Sequence, residues 1–281
     1  MAKGIQEFHW PTQLINWFGF LCLLLFLWLY LLTSSIALAD SSQKKIQQPA
    51  ISIIIDDLGY HKARDTRAIK LPGSVTYAFL PHTPHARHLA TLAHSLNKEV
   101  MLHLPMESME HEELGPGGLT MDMSHEELAA QLKSNLESVP HVVGINNHMG
   151  SLLTQHPGHM LWLMQELRKR DDLYFVDSYT TKTSIVQKVA SENWVPNIRR
   201  DVFLDSDRDP KKIKMHFRRL IKMAKKTGFA LGIGHPYPET MAILEEELPK
   251  LNSKGIQLLP VSKLLNRDMK RFKTWRAFLY P

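Results

Sequence analysis

The chain has 281 residues of ordinary globular composition, 44% hydrophobic and 22% charged, with one cysteine and a formal net charge of +6. A lone cysteine excludes a disulfide framework, and no GxGxxG or Walker-type loop follows any strand-like run, which argues against a nucleotide-binding fold. Roughly 230 residues beyond the first fifty are enough for one single-core domain.

The first segment departs from that composition. Residues 14–32 carry no charge and are dominated by Leu, Phe and Trp, and Ala37-Leu38-Ala39 precedes Asp40. Small residues at Ala37 and Ala39 fit a signal-peptidase site, so residues 1–39 read as a signal peptide cut after Ala39. The apolar run is also nearly long enough to span a bilayer, and an uncleaved inner-membrane anchor is the alternative. Lys3, the one basic residue ahead of the run, favours a cytoplasmic N-terminus. Either way the bulk of the chain is expected to be exported, into the periplasm. Cys22 lies inside the run, so the mature part has no thiol chemistry.

Residues 40–50 read as a polar linker, residues 51–266 as one domain, and residues 267–281 as a basic tail. Strand-like runs are expected at 51–55, 75–80, 99–104, 142–146, 173–177, 198–203, 229–234 and 256–259. Helical patterns with apolar residues at i, i+3 and i+4 occur between most of them, for example at 84–96, 124–138, 157–170, 210–226 and 238–253. Ser124-His125-Glu126-Glu127 has the capping-box form, Pro238 opens a helix, and Gly228 and Gly255 stand where helices should stop. Seven or eight βα units without an internal repeat point to one α/β domain, a barrel or an open sheet. The stretch from Glu107 to Met123 is a long insertion of the kind that shapes a cleft.

The run Ile53-Ile54-Ile55-Asp56-Asp57-Leu58-Gly59 is the most telling. A nearly continuous apolar strand is what a parallel sheet covered on both faces requires, and this one ends in two carboxylates. Two ionised carboxylates side by side repel and resist desolvation, so a metal, a proton or a cation is expected beside them; helix capping is the bland alternative. Other strand-like runs also end on polar groups: Pro81-His82, His103 to Glu107, Asn146 to Ser151, Asp177-Ser178 and Gly234-His235. On parallel strands such endings face one rim. The set suits metal-assisted hydrolysis. A divalent ion such as zinc accepts imidazole nitrogen and carboxylate oxygen and keeps a position open, and one Asp of the pair can hold it while the other takes a proton.

The stretches IIIDDLG, LPGSVTYAFLPH, VMLHLPME, GINNHMGS, FVDSYTT and GIGHPYPET resemble the divergent polysaccharide deacetylase family of bacteria, over residues 51–265. The resemblance implies a distorted (β/α) barrel with seven or eight repeats, as in the related NodB-type carbohydrate esterases, and hydrolysis of N-acetyl groups on an envelope polysaccharide such as peptidoglycan. It also implies Asp56 as base, Asp57 and His148 as metal ligands, and His235 as acid. One position departs from the esterase pattern: four residues after His148, where those enzymes place a second metal histidine, this chain has Leu152. His103, ending the neighbouring strand, is the candidate for that ligand.

Asp177 would orient His235, serve as a further ligand, or cap the next segment. Asn147, Ser151, Ser178 and Glu107 are expected on the substrate side of the rim, with local backbone hydrogen bonding as the competing role. Asp201, Asp205, Asp207 and Asp209 lack the glycine and glutamate of an EF-hand and read as a solvated turn. Two rivals to the deacetylase remain open: a catalytically silent envelope protein that binds a glycan or partner, and a glycoside hydrolase using two carboxylates such as Asp56 and Asp177. The basic tail is expected to meet anionic lipid or an anionic polymer; an exported protein rarely meets nucleic acid, which is not expected as a partner. Residues 211–226 add eight basic side chains and no acid, read as a solvated helix face.

Overall fold

The computed structural model describes residues 48–267 apart from Asp171, together with Leu25 and Trp28. The leader other than those two residues, most of the linker, and the basic tail other than Arg267 lie outside the described residues. Among the described residues no helix is long and apolar enough to cross a membrane.

The domain is a run of strand–helix units. β1 (Ala50–Leu58) is followed by α1 (Lys62–Ile69), β2 (Thr76–Phe79), α2 (Ala86–Ser95), β3 (Glu99–Met106), α3 (His125–Ser138), β4 (Val142–Met149), α4 (Pro157–Arg168), β5 (Tyr174–Asp177) and α5 (Val186–Glu192). Then come β6 (Asn197–Arg199), β7 (Val202–Phe203), α6 (Pro210–Thr227), β8 (Phe229–Gly234), α7 (Pro238–Glu247) and β9 (Gln257–Leu258). The hydrogen-bonded order is β6-β5-β4-β3-β2-β1-β8-β7, with β9 beside the start of β1, and every pairing is parallel.

β6 and β7 stand at opposite ends of that order, yet only Arg200 and Asp201 separate them in the chain. Two residues span only a few ångströms, so the sheet must curl until its ends meet. The run expected as a single strand at 198–203 changes partner midway: Arg200 N–H donates to Asp177 O at 3.0 Å and Asp201 N–H to Leu231 O at 2.9 Å. The fold is the expected distorted (β/α) barrel, closed by this seam rather than by continuous pairing.

Side chains of β1 divide between two cores as strand alternation demands. Ile51, Ile53 and Ile55 join the outer core beneath the helices, while Ala50 and Ile54 face an inner core shared with Met101, Tyr174, Leu231 and Ile233. Helical residues 261–267 send Val261, Leu264 and Leu265 into that inner core.

Local signals act as read. Ser124 and Glu127 form the reciprocal capping box, and Gly228 (φ 95°) and Gly255 (φ 70°) take the left-handed conformation that ends their helices. The helix expected over 238–253 stops sooner. α7 ends at Glu247, and two 3₁₀ turns follow, 248–250 and 252–254. Pro249 explains the break, because it lacks the N–H that an α-helix would need there.

Candidate metal centre and cleft

The two carboxylates of β1 owe their placement to a bulge. Ile55 pairs with Tyr77 and Leu58 with Phe79, so Asp56 and Asp57 together oppose one residue of β2. Asp57 takes φ 59°, the left-handed region a β-bulge can use. Successive residues of a regular strand point to opposite faces; here both carboxylates lie within reach of His103. Gly59 follows at φ 129°, where an added Cβ would sit 2.0 Å from Thr83 Oγ1.

Three donor atoms meet at the barrel mouth. His103 Nε2 and His148 Nδ1 each lie 3.1 Å from Asp57 Oδ1, and 3.1 Å from each other. Asp57 Oδ1 is buried and receives no hydrogen bond of acceptable geometry. An orphaned buried carboxylate oxygen is costly, and a cation shared with two imidazole nitrogens removes the cost. A tetrahedral ion with bonds of about 2.0–2.1 Å keeps its ligands about 3.3 Å apart, close to the spacing here, so the residues present fit a zinc-class ion. Asp57, His103 and His148 form the one group among the described residues with donor atoms close enough to share an ion.

Asn146 sets the orientation of two of these groups. Its Nδ2 donates to Asp56 Oδ1 at 2.9 Å and Oδ2 at 3.0 Å, which fixes the amide, so Oδ1 accepts the Nδ1 proton of His103 at 2.9 Å. His103 is thereby left with Nε2 facing Asp57, the arrangement in which an outer partner fixes a ligand's tautomer. Burial pushes the Asp56 carboxyl above its ordinary value, against the opposing pull of His103 and His235. Asp57 behaves oppositely: burial works against its ionised form, but the adjacent His103 and His148 hold it well below the usual carboxylate range. Environments that separate two carboxylates in this way also separate their roles.

On the far side of Asp57, His235 Nε2 lies 3.7 Å from Oδ2. Its Nδ1 donates to Asp205 Oδ1 at 2.9 Å, and Asp205 Oδ2 accepts the His235 backbone N–H and the Thr240 hydroxyl, both at 2.7 Å. Burial depresses the His235 pKa, but the bond to Asp205 and the charges of Asp57, Asp205 and Asp56 outweigh it and push it up to about 9.

Asp205 corrects two sequence expectations. It is 4% exposed, not part of a solvated turn, and it holds His235 where Asp177 was a candidate. Asp177 accepts instead from Tyr179 N–H at 2.8 Å and Ser184 Oγ at 2.7 Å. Asp205 lies two residues past β7, beside β8, and so obeys the strand-end logic applied to the other strands; treating 198–203 as one strand hid it. Asn146, read from the sequence only as one of the polar groups ending its strand, bridges Asp56 and His103.

The expected substrate-side residues serve the walls. Asn147 accepts Ser178 N–H at 2.8 Å and donates to Met149 O at 2.7 Å. Ser151 accepts Met109 N–H and donates to Glu110, both at 2.9 Å, and Glu107 accepts Met121 N–H at 2.7 Å. Ser151 and Glu107 fasten the 107–123 loop, and Asn147 ties the end of β4 to the residue after β5. Ser178 Oγ reaches 3.3 Å from Asn146 Nδ2 and is the member of this set nearest the centre. The loop forms one wall of a cleft of about 340 Å³ that opens beside His148, lined by Tyr60, Pro81, Pro105, Leu114 and Pro116, with Glu113 at its edge.

The family model for divergent polysaccharide deacetylase matches residues 53–265. This chain belongs to the divergent polysaccharide deacetylase family. Proteins similar to it include the uncharacterized protein YibQ of Escherichia coli, 38% identical over 216 residues, 77% of this chain and 67% of that protein. An uncharacterized protein of Haemophilus influenzae is 34% identical over 221 residues, 79% of this chain and 78% of its own length. Among solved structures, an uncharacterized protein of Agrobacterium tumefaciens superposes with a TM-score of 0.75 at 22% identity, covering 78% of this chain and 89% of that one. That likeness speaks to the fold alone.

Proposed function

We propose that this protein is an exported, periplasmic, metal-dependent hydrolase that removes N-acetyl groups from an envelope glycan, with peptidoglycan fragments as the substrate class. The observation that carries the reading is the triangle of His103 Nε2, His148 Nδ1 and the unpartnered carboxylate oxygen Asp57 Oδ1, at the edge of a cleft. Family membership supports a polysaccharide substrate.

Asp57, His103 and His148 would hold the ion, zinc by the chemistry of the donor set. When bound, it supplies Lewis acidity toward a carbonyl and toward water. Asp56, fixed through both oxygens by Asn146, takes the proton from the attacking water. His235, kept protonated by Asp205, gives its Nε2 proton to the leaving amine, so that water and amide become carboxylic acid and free amine. Tyr60, Pro81 and Pro105 offer apolar surface to a sugar ring while keeping bulk water from the reacting bond.

Loading the purified protein with zinc and incubating it with acetylated chitooligosaccharides and peptidoglycan fragments tests the proposal. Free acetate and new primary amines, with chain length unchanged, are the expected products. Shortened chains without acetate would make it a glycoside hydrolase, and glycan binding without turnover a silent binding protein.

A further inference from the structure

The outer face of α6 has no role in the site. Its buried side is Ile213, Phe217, Leu220 and Ala224, and Lys212 and Lys214 are paired with Asp207 and Glu246. The other six cations, Lys211, Arg218, Arg219, Lys222, Lys225 and Lys226, are exposed and have no acidic partner among the described residues. Arg218 and Lys222, and Lys222 and Lys226, are like-charge pairs at i,i+4, which weaken a helix. Lys225 and Lys226 complement the helix dipole, but Lys211 stands at its unfavourable end. Met215 lies among these cations and is 54% exposed.

A second observation gives the surface a direction. The loop 107–123 carries Glu107, Glu110, Glu112, Glu113 and Asp122 and no Lys or Arg. It follows β3, three places from β8 in the sheet order, whereas α6 packs on β7, β8 and β1. The barrel is basic on the α6 side and acidic at the cleft wall.

We propose that the outer face of α6 docks on a bilayer surface rich in anionic phospholipid, with the acidic cleft wall turned away from the lipid. Eighteen residues make a straight stripe about 27 Å long. A plane of headgroups meets all six cations at once and can accept Met215 at the acyl boundary, as interfacial helices do with their apolar side chains.

The test uses full-length protein and its partition onto phosphatidylcholine vesicles with or without phosphatidylglycerol. Any contribution from the leader or from the basic tail 267–281 is common to all variants. At low salt the anionic vesicles should bind the wild type at least about tenfold more tightly, a preference that salt screens. Each cation near such a surface contributes about fivefold, so Arg218→Glu with Lys222→Glu should cut the preference by at least about tenfold while the melting temperature holds. Lys62→Glu with Lys188→Glu, the same charge change on other elements, should keep most of it. The proposal is overturned by no preference in the wild type, by equal loss in both double variants, or by an undiminished preference in the α6 variant. If soluble heparin binds the wild type through α6 and phosphatidylglycerol vesicles do not, the face is a polymer site and the lipid assignment falls.

Discussion

The side-chain amide of Asn146 joins His103 to Asp56, accepting from one at 2.9 Å and donating to both oxygens of the other. Each of those groups would otherwise be free to turn or change protonation in a buried setting. Replacing Asn146 by Ala should therefore weaken zinc binding by about 10–100-fold, the usual effect of losing an outer partner of a metal ligand. Competition against a chromophoric chelator measures it, and unchanged affinity would show that His103 is held by packing alone.

Removing a ligand itself is a sharper perturbation. Asp57→Ala should abolish stoichiometric zinc binding, because it removes the oxygen that His103 Nε2 and His148 Nδ1 both face. Metal analysis by mass spectrometry reads the effect. Zinc retained at one equivalent would place the ion elsewhere.

Asp205 and His235 give a pH signature. The folded pKa of His235 is about 9, above the ordinary value near 6.5. The stabilisation from this pair is therefore complete below about pH 6.5 and is lost as the pH rises through 9. Asp205→Asn should move the His235 titration down by more than one unit in metal-free protein, followed by NMR of the imidazole protons. A midpoint that stays near 9 would assign the shift to the Asp56–Asp57 pair instead.

Glu247 titrates in the opposite sense. Lys254 first, and then Lys250, hold its carboxyl down to about 2 against burial. Its contribution is present above about pH 4.5 and is lost as the pH falls toward 2. Glu247→Gln should flatten the acid limb of the stability profile in that window while leaving zinc affinity unchanged, since α7 turns this residue away from the centre toward Lys250 and Lys254. An unaltered acid limb would place the sensitivity elsewhere.

Gly59→Ala should destabilise the fold by at least about 1–3 kcal/mol, from backbone strain at φ 129°, with added cost from the clash with Thr83. Thermal unfolding measures it, and a loss below about 0.5 kcal/mol would show that the loop after β1 relaxes freely.

Much of this molecule is written in local pattern. The apolar run of β1, the capping box at Ser124 and the glycine stops at Gly228 and Gly255 each follow from one residue's own chemistry, and each is found. The polar strand ends likewise bring Asp57, His103, His148 and His235 together, because parallel strands deliver their ends to one rim. What could not be read depends on register between distant strands. Asp205 sits at the end of a two-residue strand whose existence is decided by β8, and Asn146 acquires its role only when β4 lies beside β3. Asp177 was a reasonable partner for His235 by type, but its carboxylate takes the capping role also read for it, accepting from Tyr179 N–H and Ser184 Oγ.

The bulge in β1 has a consequence for how such a centre can arise or disappear. With one residue fewer, β1 would pair with β2 in unbroken register, and the barrel would lose none of its ladder. It would also keep a single carboxylate at the mouth, and acid–base and ligand duties would fall on the same group. The division of labour proposed for Asp56 and Asp57 thus rests on residue count in one strand, and a three-nucleotide deletion there would remove it.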